Sequence, residues 1–503
     1  MSVIQATEHL DVLIIGAGVS GIGAAWHLQH NLPDKSYRVL EARDQLGGTW
    51  DLFRYPGIRS DSDLHTFGYQ FKPWTDQASI ADGPAILDYL EETAVENGID
   101  ERIRFGCKVT AAEWSTEDSQ WTVSYADSQS GESETLTCSW LFCASGYYSY
   151  EHGYLPRFEG SERFKGLIIH PQEWPQDLDY TGKRVVVIGS GATAVTIVPA
   201  MAEKAAHVTM LQRSPTYVVA VPGKDPIANF LKRHLSAERA YALTRRKNIF
   251  MQKTVFNLSQ KRPAIVKWAI RKMLERQLPE GYDIDTHFTP DYKPWDQRLC
   301  SVPDGDLFKA ITNGSASVVT DRIKTFTEHG ILLESGTEIE ADIIVTATGL
   351  QVLVLGGIDM TVDGVKPVLK DSLAYRAMML SDIPNFVYSI GYTNSSWTLK
   401  VDIVFDYACR VIETMDRCGY SKCVPVNPDP SMETRPLLDF QAGYVKRAVD
   451  ELPREGTKAP WELTMNYVKD RKSLREDPVQ DGVLQFSTPS ATAREAGLSA
   501  TAG

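Results

Sequence analysis

Twice in this chain a short apolar strand runs directly into a glycine cluster that opens a helix. The first cluster, Gly16-Ala17-Gly18-Val19-Ser20-Gly21, follows residues 11–15. The second, Gly189-Ser190-Gly191-Ala192-Thr193-Ala194-Val195, follows residues 183–188. In G-x-G-x-x-G/A the first glycine permits a tight turn and the second lets backbone approach a pyrophosphate. The third small residue lets helix and strand pack closely. Free N–H groups at the helix N-terminus then face the phosphates. Residues 37–41 and 207–211 supply the second strand of each unit, so both read as βαβ. The chain is therefore expected to be α/β, with two nested dinucleotide-binding (Rossmann-like) domains and a helical insertion.

The two loops differ at the residue that distinguishes cofactors. Glu41 ends the second strand of the first unit, twenty residues after Gly21. A carboxylate there accepts hydrogen bonds from ribose hydroxyls and repels a 2′-phosphate. The second unit has no acid at that point but Gln212-Arg213-Ser214, with Arg213 twenty-four residues after Gly189. A guanidinium suits a 2′-phosphate through bidentate, charge-assisted hydrogen bonds, and Ser214 adds another donor. The expectation is FAD in the first site and NADPH in the second. A Gly47-Gly48-Thr49-Trp50-Asp51-Leu52 turn after the ribose acid is typical of two-dinucleotide flavoproteins. No cysteine follows it, so a dithiol relay is excluded.

The 503 residues suffice for two or three domains. A net charge of −13 argues against nucleic acid. Seven cysteines with no C-x-x-C pair fit a reduced, cytoplasmic protein without a zinc site. Residues 139–144 close the first sheet unit, 342–346 return to the second, and 385–390 return to the first. The expected domains are 1–155 (FAD, first part), 156–180 (linker), 181–220 (NADP, first part), 221–315 (helical insertion), 316–380 (NADP, second part) and 381–475 (FAD, second part). Residues 476–503 are rich in Ser, Thr, Ala and Gly and read as a disordered tail. Residues 224–278 hold fourteen Lys or Arg against Asp225, Glu238 and Glu275, a net +11. That is a solvated basic helical face or a weak membrane-surface patch.

Between the two loops, Phe164, Gly166, His170, Trp174 and Pro175 fit F-x-G-x-x-x-H-x-x-x-W-P at every fixed position. This resembles the fingerprint of the Baeyer–Villiger monooxygenases, class B flavoproteins, in the place where they carry it. The order of GAG-x-SG, GGTWD-x-FRYPG-x-RSDSD, GSGATAV, LQRSPTY, PWDQRLC and TATGL is similar to the EthA-type FAD-containing branch, over about residues 8–475. The resemblance implies FAD, NADPH and O2, with ketones converted to esters or lactones through a C4a-peroxyflavin. It also implies S-oxidation of thioethers or thioamides.

The same resemblance assigns residue roles. Tyr55-Pro56-Gly57-Ile58-Arg59-Ser60-Asp61 matches YPG-x-R-x-D, which places Arg59, Ser60 and Asp61 near the flavin, Asp61 orienting a catalytic arginine. That arginine is Arg298, a fixed cation beside a peroxy anion. Gln297 stands where relatives carry lysine. Val109 matches the position whose backbone meets the adenine. His170 reads as a conformational residue of the linker, not a base, and Ala347-Thr348-Gly349 as the second crossing between domains. The alternative is an N- or S-hydroxylating flavin-containing monooxygenase, which varies Trp174-Pro175. A non-catalytic flavin-binding regulatory protein would not need Arg213, Asp61 and Arg298 together.

Overall fold

The computed structural model describes residues 8–297, 299–438 and 443–488. Strand β1 (His9–Ile15) is apolar on both sides and buried to Ile15, as a central parallel strand should be. It pairs in parallel with β2 (Tyr37–Leu40) on one side and with β6 (Ser133–Cys143) on the other. Beyond β2 lies β3 (Ile103–Arg104). Beyond β6 an antiparallel meander continues through β5 (Gln120–Asp127) and β4 (Cys107–Ser115). The strand Phe386–Tyr388 also pairs with β6 in parallel, so the expected return to the first sheet is present. Helix α1 (Val19–Asn31) is enclosed between this sheet and α11 (Thr398–Cys418).

The second sheet has five strands, all parallel. Its order is β12 (Ala316–Thr320), β9 (His207–Gln212), β8 (Arg184–Ile188), β16 (Ile343–Thr346) and β7 (Leu167–Ile169). Helix α5 (Ala192–Met201) leaves β8 through the second glycine loop.

Three boundaries move. The fingerprint segment is more than a linker, because Leu167–Ile169 forms the edge strand of the second sheet. The second domain ends at the second crossing rather than at 380, since Asp359–Val362 pairs in parallel with β4 of the first sheet. Those four residues are short and half polar, a weak strand pattern that only the neighbouring edge makes definite. The helical insertion is shorter than 221–315. Helices α6 (Pro226–His234), α7 (Ala237–Lys261), α8 (Pro263–Gln277) and α9 (Ile284–Phe288) compose it. Thereafter β11 (Cys300–Pro303) pairs with β10 (Val218–Val221), and α10 (Asp306–Thr312) packs on α5.

The tail also changes. Leu484–Ser487 pairs antiparallel with Lys422–Pro425, and Leu484 is buried. Leu484 and Phe486 carry that pairing through a polar stretch. Residues 489–503 lie outside the described residues.

Candidate active site

The first loop obeys the steric logic of its glycines. Gly16 has φ +97°, and a Cβ there would stand 2.7 Å from the Ala144 carbonyl oxygen. A Cβ on Gly21 would stand 1.8 Å from the Gly16 oxygen, so helix and strand could not approach. Gly18 faces Gly48 of the GG turn, its ideal Cβ 3.6 Å from the Gly48 Cα. The first-turn N–H groups of α1 have no intrahelical acceptor and no side chain caps them. The Ser20 hydroxyl is held from the far side, by Trp397 Nε1 at 2.9 Å and by Ser389 Oγ at 3.2 Å.

Glu41 is buried against this loop. Its carboxylate accepts from Ala17 N at 2.7 Å and Arg43 N at 3.0 Å. Burial raises its pKa, and those two donors oppose the rise. Asp51, also buried, receives the guanidinium of Arg43 and pairs with Arg54. Thr49 Oγ1 lies 2.6 Å from Tyr148 OH. The Trp50 ring meets Phe67 edge-on, and Leu52 packs against the second core. Burial pushes the Tyr150 phenol up to about 12, so it stays protonated. Val109 is buried on β4 at a bulge in its pairing with β5.

The second loop is more open. Gly189 has φ +137°, and a Cβ there would stand 2.4 Å from the Ala347 oxygen. A Cβ on Gly191 would meet nothing within 4 Å, which leaves room for a phosphate beside backbone. Ala192 and Thr193 start α5, while Ala194 and Val195 are buried beneath it. Arg213 and Ser214 are exposed just past β9. Ser190 Oγ bonds Thr216 Oγ1 at 2.8 Å and donates to the Ser214 carbonyl at 3.3 Å, fixing the turn that carries Arg213. These residues fit a dinucleotide bearing a 2′-phosphate.

The YPG-x-R-x-D segment lies between the domains. Tyr55 is buried close to Thr193 of the second loop, and burial pushes its phenol up to about 12. A Cβ on Gly57 would stand 2.7 Å from the Ala200 Cβ of α5. Arg59 makes a two-pronged ion pair with Asp306 of α10. The guanidinium of Arg59 is thus committed to the second domain, an arrangement its motif did not reveal because Asp306 is 247 residues away. Ser60 is buried and exchanges hydrogen bonds with Ser62, while Asp61 is exposed. Arg298 lies outside the described residues. Among the described residues before it, the Trp295 ring meets Phe256 of α7 at 5.9 Å, and Pro294 forms a bridge with Gln297.

The fingerprint residues gather where the chain passes between domains. Phe164 packs under the second sheet with Val186, Phe326 and Ile344. Gly166 is required, since a Cβ would stand 2.4 Å from the Asp342 oxygen. The two crossings are hydrogen-bonded to each other: Ser149 N to Gln351 O at 2.7 Å, Tyr154 N to Gly349 O at 3.0 Å, and Leu353 N to Tyr147 O at 3.0 Å. The His170 ring sits on Gly153 of the first crossing, and Nδ1 accepts from Gln172 N at 3.2 Å. Burial lowers its pKa. It lines a cavity of about 560 Å³ with Tyr154, Glu173, Thr346 and Gln351. Trp174 packs against the second core, and Pro175 ends the short helical turn.

One set of contacts had no sequence signal. Arg245 of α7 looked like a surface cation but is buried. It donates to the carbonyls of His65, Thr66 and Gly68 and pairs with Asp402 of α11 at 3.2 Å. Asn248 and Gln252, on the same face, donate to Asp63 at 2.7 and 2.9 Å. The second aspartate of the RSDSD run therefore anchors the insertion to the loop that carries Asp61.

The flavin-binding monooxygenase-like family model matches residues 69–355, and an NAD(P)-binding Rossmann-like domain matches residues 14–77. The FAD-containing monooxygenase EthA of Mycobacterium tuberculosis is 53% identical over 482 residues, covering 96% of this chain and 98% of that protein. The putative FAD-containing monooxygenase MymA of the same organism is 51% identical, covering 95% and 98%. The fold is that of the OTEMO complex with FAD and NADP (TM-score 0.75, 21% identity, 96% and 100% covered). It is also that of oxidised steroid monooxygenase bound to NADP (TM-score 0.74, 22% identity, 95% and 100% covered). The chain belongs to the family of FAD-containing, flavin-binding monooxygenases.

Proposed function

We propose that this monooxygenase performs Baeyer–Villiger oxidation: NADPH, a proton, O2 and a ketone give NADP+, water and an ester or lactone. Thioethers or thioamides are further substrates on this reading, and the site of action is the cytoplasm. The observation that carries it is the contrast between the loops, a buried Glu41 at one and an exposed Arg213 at the other, joined through the fingerprint crossing.

Bound flavin supplies the activation of O2. The chain's own residues do the rest. Glu41 and the α1 N-terminus hold the ribose and pyrophosphate of FAD, with Val109 backbone beside the adenine. Thr49, Trp50, Asp51 and Leu52 shape the flavin side. Arg213 and Ser214 hold the 2′-phosphate of NADPH, next to the phosphate cradle of residues 189–195. Arg298 keeps a positive charge where negative charge develops, and Asp61 aims it. His170, packed on Gly153 between the two crossings, serves as a conformational residue of the linker and not as a base.

The test is product formed per NADPH consumed, over a panel of linear, cyclic and aryl ketones and thioethers. Esters or lactones support the proposal. N-oxides with no ester from any ketone would move the enzyme to the N-hydroxylating class.

A further inference from the structure

We propose that helices α6–α8 form a docking face for an anionic lipid bilayer. Among the described residues, seventeen large hydrophobic side chains are exposed, and ten of them lie between Ile227 and Trp268. Phe250 is 69% exposed, Trp268 62% and Phe230 60%. Scattered apolar residues on a surface need no explanation, but a concentrated patch marks an interaction site.

On α7 the exposed Leu243, Phe250, Met251, Val255 and Leu258 recur at spacings of three, four and seven, one stripe of the helix. Beside it runs a row of exposed cations, Arg239, Arg246 and Lys253, each seven residues from the next. The opposite face is pinned by Arg245, Asn248 and Gln252. The helix therefore cannot turn its apolar stripe inward, and the exposure is built in.

Charge selects the occupant. Residues 224–278 carry +11, and the rest of the chain −24. An acidic protein is repelled by an anionic surface unless one face is locally basic. A second copy of this chain docked face to face would set +11 against +11. Nucleic acid would engage the cations through its phosphates but leave the apolar stripe in water. Aliphatic and aromatic side chains entering the acyl boundary, with Lys and Arg at the phosphates, fit a helix lying in the interface. No helix among the described residues is long and apolar enough to cross a membrane, so contact is with the surface. Because α7 also holds Asp63 in the Asp61 loop, docking would bring the proposed active site close to lipid-dissolved substrates. That purpose rests on the proposed function, whereas the docking does not.

The test is co-sedimentation of the full-length FAD-loaded enzyme with phosphatidylcholine vesicles, with and without phosphatidylglycerol. Binding to the anionic vesicles and its weakening by high salt are expected. The triple variant Arg239→Glu, Arg246→Glu, Lys253→Glu should weaken it more than about tenfold, as several surface charges acting together imply. The pair Phe250→Ser, Trp268→Ser should weaken it by a similar factor. Both variants should keep their FAD and their vesicle-free NADPH oxidation. Failure of the unaltered enzyme to sediment with anionic vesicles overturns the proposal. So does binding that neither variant reduces, or a stable dimer that both variants dissociate in place of vesicle binding. Vesicle binding by an enzyme that makes no ester would remove the ketone assignment and leave the docking face intact.

Discussion

The two glycine loops share one backbone design and differ in enclosure. At the first, α1 is buried between sheet and α11, Gly18 faces a second glycine turn, and Glu41 is sealed under Ala17. At the second, Gly191 is exposed, nothing would touch a Cβ there, and Arg213 lies in solvent. An enclosed loop suits a group that stays, and an open one suits a group that comes and goes. On the proposed reading, the acid-or-arginine choice selects the nucleotide, and the packing around each loop governs how long it stays.

The comparison can be broken in several places. The largest effect is expected at the proposed catalytic cation. Arg298→Ala should keep FAD but lower ester formation by about 10²–10³, the cost of losing a donor to a developing oxyanion. Arg298→Lys should rescue only part of it, and near-normal ester yield would assign the role to another cation. Next is Arg213→Ala, which should raise the KM for NADPH by about 10- to 150-fold and leave NADH use nearly unchanged. Equal use of both nucleotides by the unaltered enzyme would remove the contrast. Glu41→Gln should cost about tenfold in FAD retention during dialysis, because one charge-assisted acceptor becomes neutral. Its effect on the KM for NADPH should be small.

Smaller effects report on the joints. Arg59→Ala removes a half-buried ion pair worth about 0.5–1 kcal/mol, so a two- to fivefold change in kcat/KM for NADPH is expected with FAD content unaltered. Loss of FAD instead would return Arg59 to the flavin site. A last effect, on stability in acid and not on turnover at neutral pH, concerns His65 under the insertion. Its ring nitrogens lie buried without a hydrogen-bond partner, and burial pushes its pKa down to about 4. Asp63, 3.8 Å away, would raise it, but burial prevails. The folded state therefore resists protonation that the unfolded chain accepts near 6.5. This contribution is complete above pH 6.5 and is lost as pH falls toward 4. His65→Gln should flatten that limb of a plot of Tm against pH, and an unchanged slope would exclude His65 as its source.

The sequence made legible what depends on local spacing. Both loops, their strands and the crossings lie where the motifs put them, because turn sterics act over a few residues. Partners across the fold were hidden. Arg59 needs Asp306 and Arg245 needs Asp402, pairs that only the packed domains bring together. Charge was misleading for Arg245, since a basic run reads as surface until one member turns inward. The strand Leu484–Ser487 was missed because its polar neighbours resemble a tail and its pairing partner lies some sixty residues earlier.

The paired crossings have an engineering consequence. Tyr154 and Gly349 touch through a 3.0 Å hydrogen bond, yet nearly two hundred residues lie between them. The second domain and its insertion therefore enter and leave the host at one spot, like a plug in a socket. Domains with adjoining ends are the ones that transplant. Exchanging the intervening segment between relatives would carry the proposed nicotinamide preference and the greasy basic face together as one cassette, while the flavin half kept its own sheet.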